Sequence, residues 1–111
     1  MQDKIRINTL LDYYGGLLTA KQQEICRFYY REDLSLQEIS EILDISRAAV
    51  HDTVKRVEKD LLHYEEILCC VSLSEKRNSI YELICNKTDD QEILDLVNQC
   101  KHTEIEGGNY E

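Results

Sequence analysis

Sixteen residues decide the fold of this chain: Ser35-Leu-Gln-Glu-Ile-Ser-Glu-Ile-Leu-Asp-Ile-Ser-Arg-Ala-Ala-Val50. Their spacing predicts a short helix, a three-residue turn at Asp44–Ser46 and a second helix capped by Ser46. Helices joined by so short a turn cross steeply and need a small residue where their backbones approach, a place that Ser40 occupies. Asp44 stands where glycine is common, and aspartate tolerates the left-handed conformation better than most residues. The segment predicts a helix-turn-helix, with an ordinary helical hairpin as the alternative.

Helix starts can be assigned on both sides of this segment. A first helix over about Asp3–Tyr14 is expected to end at Gly15-Gly16. Further on, a capping residue followed three positions later by Glu or Gln predicts the start of a helix. We assign helix starts to four such pairs, namely Thr19 with Gln22, Ser35 with Glu38, Ser72 with Glu75, and Thr88 with Gln91. The chain has no proline and four glycines, so we expect helices throughout and no strands.

The helix that begins at Arg47 is expected to be long. Its apolar residues recur at alternating intervals of four and three, at Val50, Val54, Val57, Leu61, Tyr64 and Leu68. This heptad-type spacing predicts one unbroken helix of roughly 30 Å. Three short helices cannot cover that length, and an exposed apolar stripe would face water. We therefore predict a homodimer whose seam is formed by Val57, Leu61, Tyr64 and Leu68.

The predicted architecture is all-α, with the helix-turn-helix in the N-terminal part. A chain of 111 residues fits a single domain. Residues 1–71 are expected to form the helix-turn-helix domain, and residues 72–103 a C-terminal pair of helices packed on the long helix. Residues 104–111 contain Gly107-Gly108 and no apolar period, so we expect a flexible tail there.

Composition excludes several classes of function. No apolar run is long enough to cross a bilayer, and no basic segment followed by an apolar one stands at the start, so we expect a cytoplasmic protein. The five cysteines are odd in number and lack a C-x-x-C pair, which argues against a disulfide framework or a zinc site. Between residues 17 and 106 there is no glycine, and therefore no phosphate-binding loop. We expect no metal, no cofactor and no enzymatic activity.

Six short motifs carry a further signal. They are Leu11-Asp-Tyr-Tyr14, Leu18-Thr-Ala-Lys-Gln22, Tyr29-Tyr30, Glu32-Asp-Leu-Ser-Leu36, Ser46-Arg-Ala-Ala-Val50 and Val54-Lys-Arg56. The segments beginning at Leu18, Ser35 and Ile45 resemble region four of bacterial housekeeping sigma factors. From about Leu10 to Glu66 the chain resembles the YlxM-like helix-turn-helix family, whose genes commonly lie beside those of the signal recognition particle. The resemblance implies a regulatory protein, with a link to that particle which rests on gene neighbourhood.

The sigma-factor pattern also implies which side chains would meet DNA or RNA. In a helix-turn-helix the N-terminal residues of the second helix reach the base edges. Applied to this chain, the sigma-factor pattern implies that nucleobases are contacted by Arg47, Ala48, His51 and Asp52. It implies that phosphates are contacted by Lys55 and Arg56. Arg47 suits a guanine edge. Two positions depart from the sigma-factor pattern, because Ala48 replaces an acidic residue and Asp52 replaces a glutamine. For the three cations, a solvated helix face is the alternative.

The net charge of −9 opposes a general attraction to polyanions. Most of the excess lies in residues 64–111, which carry eleven acids against four bases, whereas residues 1–18 are neutral. Two functions therefore stay open. One is a nucleic-acid-binding regulator that uses residues 35–60. The other is a protein-interaction adaptor for the signal recognition particle machinery, whose acidic half faces a basic partner.

Overall fold

The computed structural model describes residues 3–104, and every regular element in that range is a helix. The α-helices are α1 (Lys4–Tyr14), α2 (Ala20–Cys26), α3 (Leu36–Leu43), α4 (Arg47–Leu68), α5 (Cys70–Lys87) and α6 (Gln91–Lys101). A short 3-10 helix, Gly15–Leu17, precedes α2, and a π-helical turn, Arg27–Arg31, extends it. The predicted all-α class is confirmed. No helix in residues 3–104 is long and apolar enough to span a bilayer.

Helices α3 and α4 form the predicted helix-turn-helix. Asp44 ends α3 with φ 55° and ψ 46°, the left-handed conformation expected of it. Ser46 then caps α4, because its hydroxyl accepts a hydrogen bond from the Ala49 amide at 3.0 Å. Ser40 is buried at the point where the two helices approach. The corner therefore has the geometry that the sequence predicted.

The capping boxes of the N-terminal half are formed, at Thr19–Gln22 and Ser35–Glu38. The two predicted further along are not. Helix α5 begins at Cys70, two residues before Ser72, so the predicted boundary after residue 71 falls inside that helix. Helix α6 is capped by Asp90, whose carboxylate accepts from the Glu92 amide at 2.9 Å. Asp90 directly precedes α6, whereas the predicted cap, Thr88, lies two residues earlier. The Thr88 hydroxyl instead accepts a hydrogen bond from the Asp90 amide and so forms a turn.

Helix α4 is the centre of the hydrophobic core. Helices α1, α2 and α3 all pack against it. The aliphatic side chains with no exposed surface are Ile7, Leu10, Ile25, Ile39, Val50, Val54, Val57 and Leu61. Full burial of such a side chain stabilises a protein by about 1.5–3 kcal/mol. This cluster therefore holds the N-terminal part of the molecule together and sets which side of α4 faces outward.

Helices α5 and α6 form an antiparallel hairpin. We expected this pair to pack along the long helix, but α5 packs against α1 and α6, and α6 packs against α5. The reason is that α1, α2 and α3 already cover the apolar stripe of α4. The chain also changes direction at Cys69, which adopts φ 56° between α4 and α5.

The hairpin makes the molecule elongated. Its extents are 58 × 25 × 21 Å and its radius of gyration is 17.7 Å. A compact domain of 100 residues has a radius of gyration of about 13 Å. From the hairpin, Val71 alone joins the main core cluster of the described residues. Residues 105–111 of the predicted flexible tail lie outside the described residues. Glu104, its first residue, is bound to α5 through Ser74, Arg77 and Tyr81.

Candidate nucleic-acid interface

The first turns of α4 present two different sides. On the inner side Val50, Val54 and Val57 are completely buried. Five of the residues assigned to nucleic acid lie on the outer side, namely Ala48, His51, Asp52, Lys55 and Arg56; His51 is half-buried and the other four are exposed. Arg47 is exposed as well, but it precedes Val50 by three positions, so it lies at the start of the helix in line with the inner side. The structure therefore brings five of the six side chains together on one surface, which spans about two helical turns.

One further cation belongs to this surface. Ala48, Asp52 and Lys55 form the middle of the outer side, since residues three and four apart share a helix face. Lys59 follows Lys55 by four positions and is also exposed. The residues implied by the sigma-factor pattern end at Arg56, so that pattern did not include Lys59. The four-residue spacing from Lys55 could have predicted it. We call the exposed side of residues 47–59 the α4 face.

Two acid–base contacts lie on or beside the α4 face, and the first of them is an ion pair only when the His51 imidazole is protonated. His51 Nδ1 is 3.5 Å from Asp52 Oδ1, and Arg56 Nε is 3.3 Å from Asp60 Oδ1. Exposed pairs of this kind contribute at most about 1 kcal/mol, so they do not prevent the cations from binding another anion. Asp52 is the one acid within the six assigned positions, and it points outward among them.

A buried hydrogen bond fixes the rotation of α4. The Tyr30 hydroxyl donates to Glu58 Oε2 at 2.6 Å, and both side chains are buried. Burial and the adjacent Glu58 carboxylate raise the pKa of Tyr30 well above its ordinary value, so the phenol remains a donor. No sequence pattern predicted this contact, because its partners lie 28 residues apart. It ties the π-helical turn to α4 just behind the α4 face.

A second network joins the helix-turn-helix to the hairpin. The Tyr14 hydroxyl donates to Glu65 Oε1 at 2.6 Å and accepts from the Cys70 amide at 3.0 Å. The amides of Val71 and Ser72 donate to Glu65 at 3.0 and 3.1 Å. Burial raises the pKa of Glu65, but these hydrogen bonds outweigh it and hold the pKa below its ordinary value. Glu65 thus caps α5 in place of the predicted serine.

Most of the predicted dimer seam is used within the chain. Val57 and Leu61 have no exposed surface, and the Tyr64 ring lies 6.0 Å from that of Tyr14. Of the four seam residues, Leu68 alone is exposed. These positions do not form an exposed apolar stripe. We expected part of the stripe to stay uncovered within the single chain, but α1 and α2 pack against α4 and cover it.

Outside the α4 face, the described residues contain few groups that are placed for metal binding or catalysis. Among residues 3–104 there is no group of three or more His, Cys, Asp or Glu side chains that could hold a metal ion. A cleft of about 320 Å³ opens between α1 and α2, where Gly15, Ala20 and Gln23 line it. Cys26 at its base is buried, and burial followed by the Glu58 charge raises its pKa to about 12, so it stays a thiol.

The sequence matches a known family over nearly its full length. The model of the UPF0122 family, "Putative helix-turn-helix protein, YlxM / p13 like", matches residues 1–101. A UPF0122 protein of Desulforamulus reducens is 51% identical over 85 residues, which cover 76% of this chain and 73% of that protein. One of Clostridium kluyveri is 41% identical over 105 residues, covering 95% and 89%. One of Clostridium novyi is 38% identical over 103 residues, covering 93% and 90%.

These matches confirm the resemblance to the YlxM-like proteins. The family description names a helix-turn-helix and no catalytic activity. Its span contains the corner at Asp44, the α4 face and the whole hairpin. The chain therefore belongs to the UPF0122 family of YlxM- and p13-like helix-turn-helix proteins.

Proposed function

We propose that this protein is a nucleic-acid-binding regulator whose α4 face enters a major groove. The observation that carries the proposal is the exposed row of side chains on a helix that starts directly after a helix-turn-helix corner. In such proteins the start of the second helix meets the base edges. Residues 47–60 carry four bases against the exposed acid Asp52 and the half-buried acid Asp60, so this surface is locally positive in an acidic chain.

Each position suits a different contact. Arg47 can donate two hydrogen bonds to a guanine edge, and Ala48 is small enough to pack against a thymine methyl group. Lys55 and Lys59 stand one turn apart, where they can reach successive phosphates. Asp52 repels phosphate, but its carboxylate can accept a hydrogen bond from a cytosine amine.

Binding is expected to be selective and weak on arbitrary sequences. The net charge of −9 works against general attraction to a polyanion. In addition, the first helix of a helix-turn-helix crosses the phosphate backbone, and here that helix, α3, exposes Glu38 and Glu41. A target with matching bases is needed to overcome this repulsion.

Selection from a random duplex DNA pool and a random RNA pool, followed by titration of the enriched sequence at several salt concentrations, tests the proposal. Arg47→Ala is expected to weaken binding about 5- to 150-fold, because a bidentate base contact is worth roughly 1–3 kcal/mol. Lys55→Ala is expected to reduce the slope of log K against log salt by about 1. Lys21→Ala removes an exposed cation of α2 and serves as the control. Failure of both pools to enrich, or unchanged binding by Arg47→Ala, would contradict the proposal.

A second function is favoured by the acidic C-terminal half. In this alternative the helix-turn-helix is a scaffold, and residues 64–111 bind a basic component of the signal recognition particle machinery. The test is titration of this chain with the purified protein and RNA components of that particle. Binding to the protein that survives nuclease treatment and Arg47→Ala supports the adaptor. Binding that is lost with Arg47→Ala favours the nucleic-acid-binding function instead.

A further inference from the structure

The hairpin exposes an apolar surface that the described chain does not cover. On α5, Leu73, Ile80 and Leu83 are 45%, 54% and 56% exposed. On α6, Ile93 and Leu96 are 40% and 59% exposed. By contrast, the large aliphatic side chains of the N-terminal core are completely buried. We call these five residues the hairpin face.

The two helices present these residues on the same side of the hairpin. The line of contact between the helices runs near Tyr81, which bonds to Glu104, and near Val97, which is buried. Ile80 precedes Tyr81 by one residue, and Leu96 precedes Val97 by one residue, so each is rotated about 100° from the contact line in the same sense. In an antiparallel pair, equal rotations in the same sense point to one side. The stripes of α5 and α6 therefore form one continuous surface.

The hairpin has little to hold it without a cover. Val97 is the one buried hydrophobic residue of α6. Isolated helices shorter than about 12–15 residues are marginal in water, and their stability normally comes from packing an apolar face. Helix α6 has 11 residues. A helix of this length with two of its four aliphatic residues exposed needs a further layer on the hairpin face.

We propose that a second copy of this chain supplies that layer, through packing of hairpin face on hairpin face into a four-helix bundle. Helix α5 is about 27 Å long, α6 with its 11 residues is about 16 Å long, and each helix is about 10 Å wide. The projected area of the face is thus roughly 430 Å², and its accessible area is larger because side chains protrude. A specific interface requires about 600–1,000 Å² from each partner. With its protruding side chains, the hairpin face comes close to the lower end of this range, which a dimer needs.

Charge on the face also fits a second copy. On α5, Lys76 and Lys87 stand three residues after Leu73 and four after Leu83, within the exposed stripe. On α6, Glu92 stands four residues before Leu96. The two helices thus carry opposite charges. A two-fold axis parallel to the helices places α5 on α6 of the second copy and brings Lys87 beside Glu92 of the partner subunit.

This dimer differs from the seam expected on α4 and does not depend on nucleic-acid binding. It leaves the α4 face free, because that face lies on the first half of α4 whereas the hairpin begins after its end. Nucleic-acid binding and dimerisation can therefore fail separately in experiment.

Analytical ultracentrifugation of the full chain from about 1 to 100 μM tests the proposal. The wild-type chain is expected to sediment at twice its own mass at the upper end of this range. Ile80→Glu and Leu96→Glu each place a charge in the interface and are expected to weaken the dimer at least 100-fold. Both residues are exposed in the single chain, so circular dichroism is expected to show the same helix content as the wild-type chain diluted to its single mass. Ile5→Glu, at a position 78% exposed on α1, is the matched control and is expected to leave the dimer intact.

Three results would overturn the dimer. They are a wild-type chain that stays at its single mass up to 100 μM, a dimer that survives both hairpin variants, and a dimer that is lost in Leu68→Glu but kept in Ile80→Glu. The pairing of α5 with α6 has its own test. Lys87→Glu and Glu92→Lys are each expected to weaken association several-fold, and an equal mixture of the two is expected to restore it, because the mixed dimer pairs opposite charges at both sites. A mixture as weak as the single variants would overturn this arrangement.

Discussion

Asp33, Asp44 and Cys69 have positive φ although none of them is glycine. Each stands where one helix ends and the chain turns toward the next. The left-handed conformation costs most residues roughly 1–2 kcal/mol, and aspartate less, because its side chain can bond locally. At Cys69 the conformation ends α4 and starts α5 directly, which gives the adjacent Cys69 and Cys70 a place at a helix junction.

The corner of the helix-turn-helix can be tested at Asp44. Asp44→Val places a β-branched residue at φ 55° and is expected to lower the free energy of unfolding by about 1–3 kcal/mol. Asp44→Gly is the matched control, and it is expected to be tolerated because glycine adopts this conformation freely. Urea denaturation followed by circular dichroism measures both. A valine variant as stable as the glycine variant would contradict the left-handed corner.

The buried bond behind the α4 face can be tested at Tyr30. Tyr30→Phe leaves the Glu58 carboxylate without the donor that lies 2.6 Å away and is expected to cost about 1–3 kcal/mol of stability. Tyr64→Phe, which removes a hydroxyl outside this contact, is the control. Chemical denaturation gives both values. Equal effects of the two substitutions would show that the Tyr30–Glu58 bond does not stabilise the fold.

At the scale of the helices, local capping explains the N-terminal half but not the hairpin. Thr19 and Ser35 form their boxes with partners that lie three residues away. Helix α5 begins earlier than its local signal because Glu65 and Tyr14 bind its first amides. A cap supplied by another helix leaves no trace in the local sequence.

The end of the hairpin is expected to respond to acid. Arg77 donates to both oxygens of Glu104 at 2.6 and 3.0 Å, and this contact holds the pKa of Glu104 at about 2. In the unfolded chain a glutamate titrates near about 4.3, so the folded pKa is the lower one. The stabilisation is therefore present above about pH 4–5 and is lost as the pH falls toward 2.

Hydrogen exchange of the α6 amides between pH 5 and 2, corrected for intrinsic rates, measures this effect. Protection is expected to fall across this range in the wild-type chain. In Glu104→Gln it is expected to be low already at pH 5 and to change less, since that side chain no longer titrates. Identical pH profiles for the two proteins would contradict a role for Glu104.

At the scale of the whole molecule, packing is unevenly distributed. The core cluster draws on the chain from α1 to α4 and on Val71 of α5, whereas α6 contributes nothing to it. Regions with few buried apolar contacts open locally at a lower free energy than the core. The single chain is therefore expected to have a stable N-terminal part and a hairpin that opens more readily.

Hydrogen exchange at two protein concentrations tests this difference. In Ile80→Glu, the α6 amides are expected to be at least about tenfold less protected than those of α4, at any concentration. In the wild-type chain and the Ile5→Glu control, protection of α6 is expected to rise with concentration, since the dimer stabilises the hairpin. Equal protection of α4 and α6 in the Ile80→Glu chain would contradict the uneven packing.

The sequence by itself determined the helical class, the corner at Asp44, the unbroken α4 and the caps at Thr19 and Ser35. These features depend on neighbours within about one helical turn, so spacing and residue type are enough to predict them. Five of the six residues assigned to nucleic acid also come together, because they lie on one helix whose inner side is marked by Val50 and Val54, whereas Arg47 stands at the start of that helix in line with the inner side.

Only the tertiary structure decided which apolar surfaces meet. The seam expected on α4 is covered by α1 and α2, and the uncovered face lies on the hairpin instead. The rotation of α4 and the start of α5 depend on hydrogen bonds from Tyr30 to Glu58 and from Tyr14 to Glu65, over 28 and 51 residues. Periodicity shows that a stripe is apolar but not which stripe of the chain covers it, since that choice depends on the packing of all the helices together.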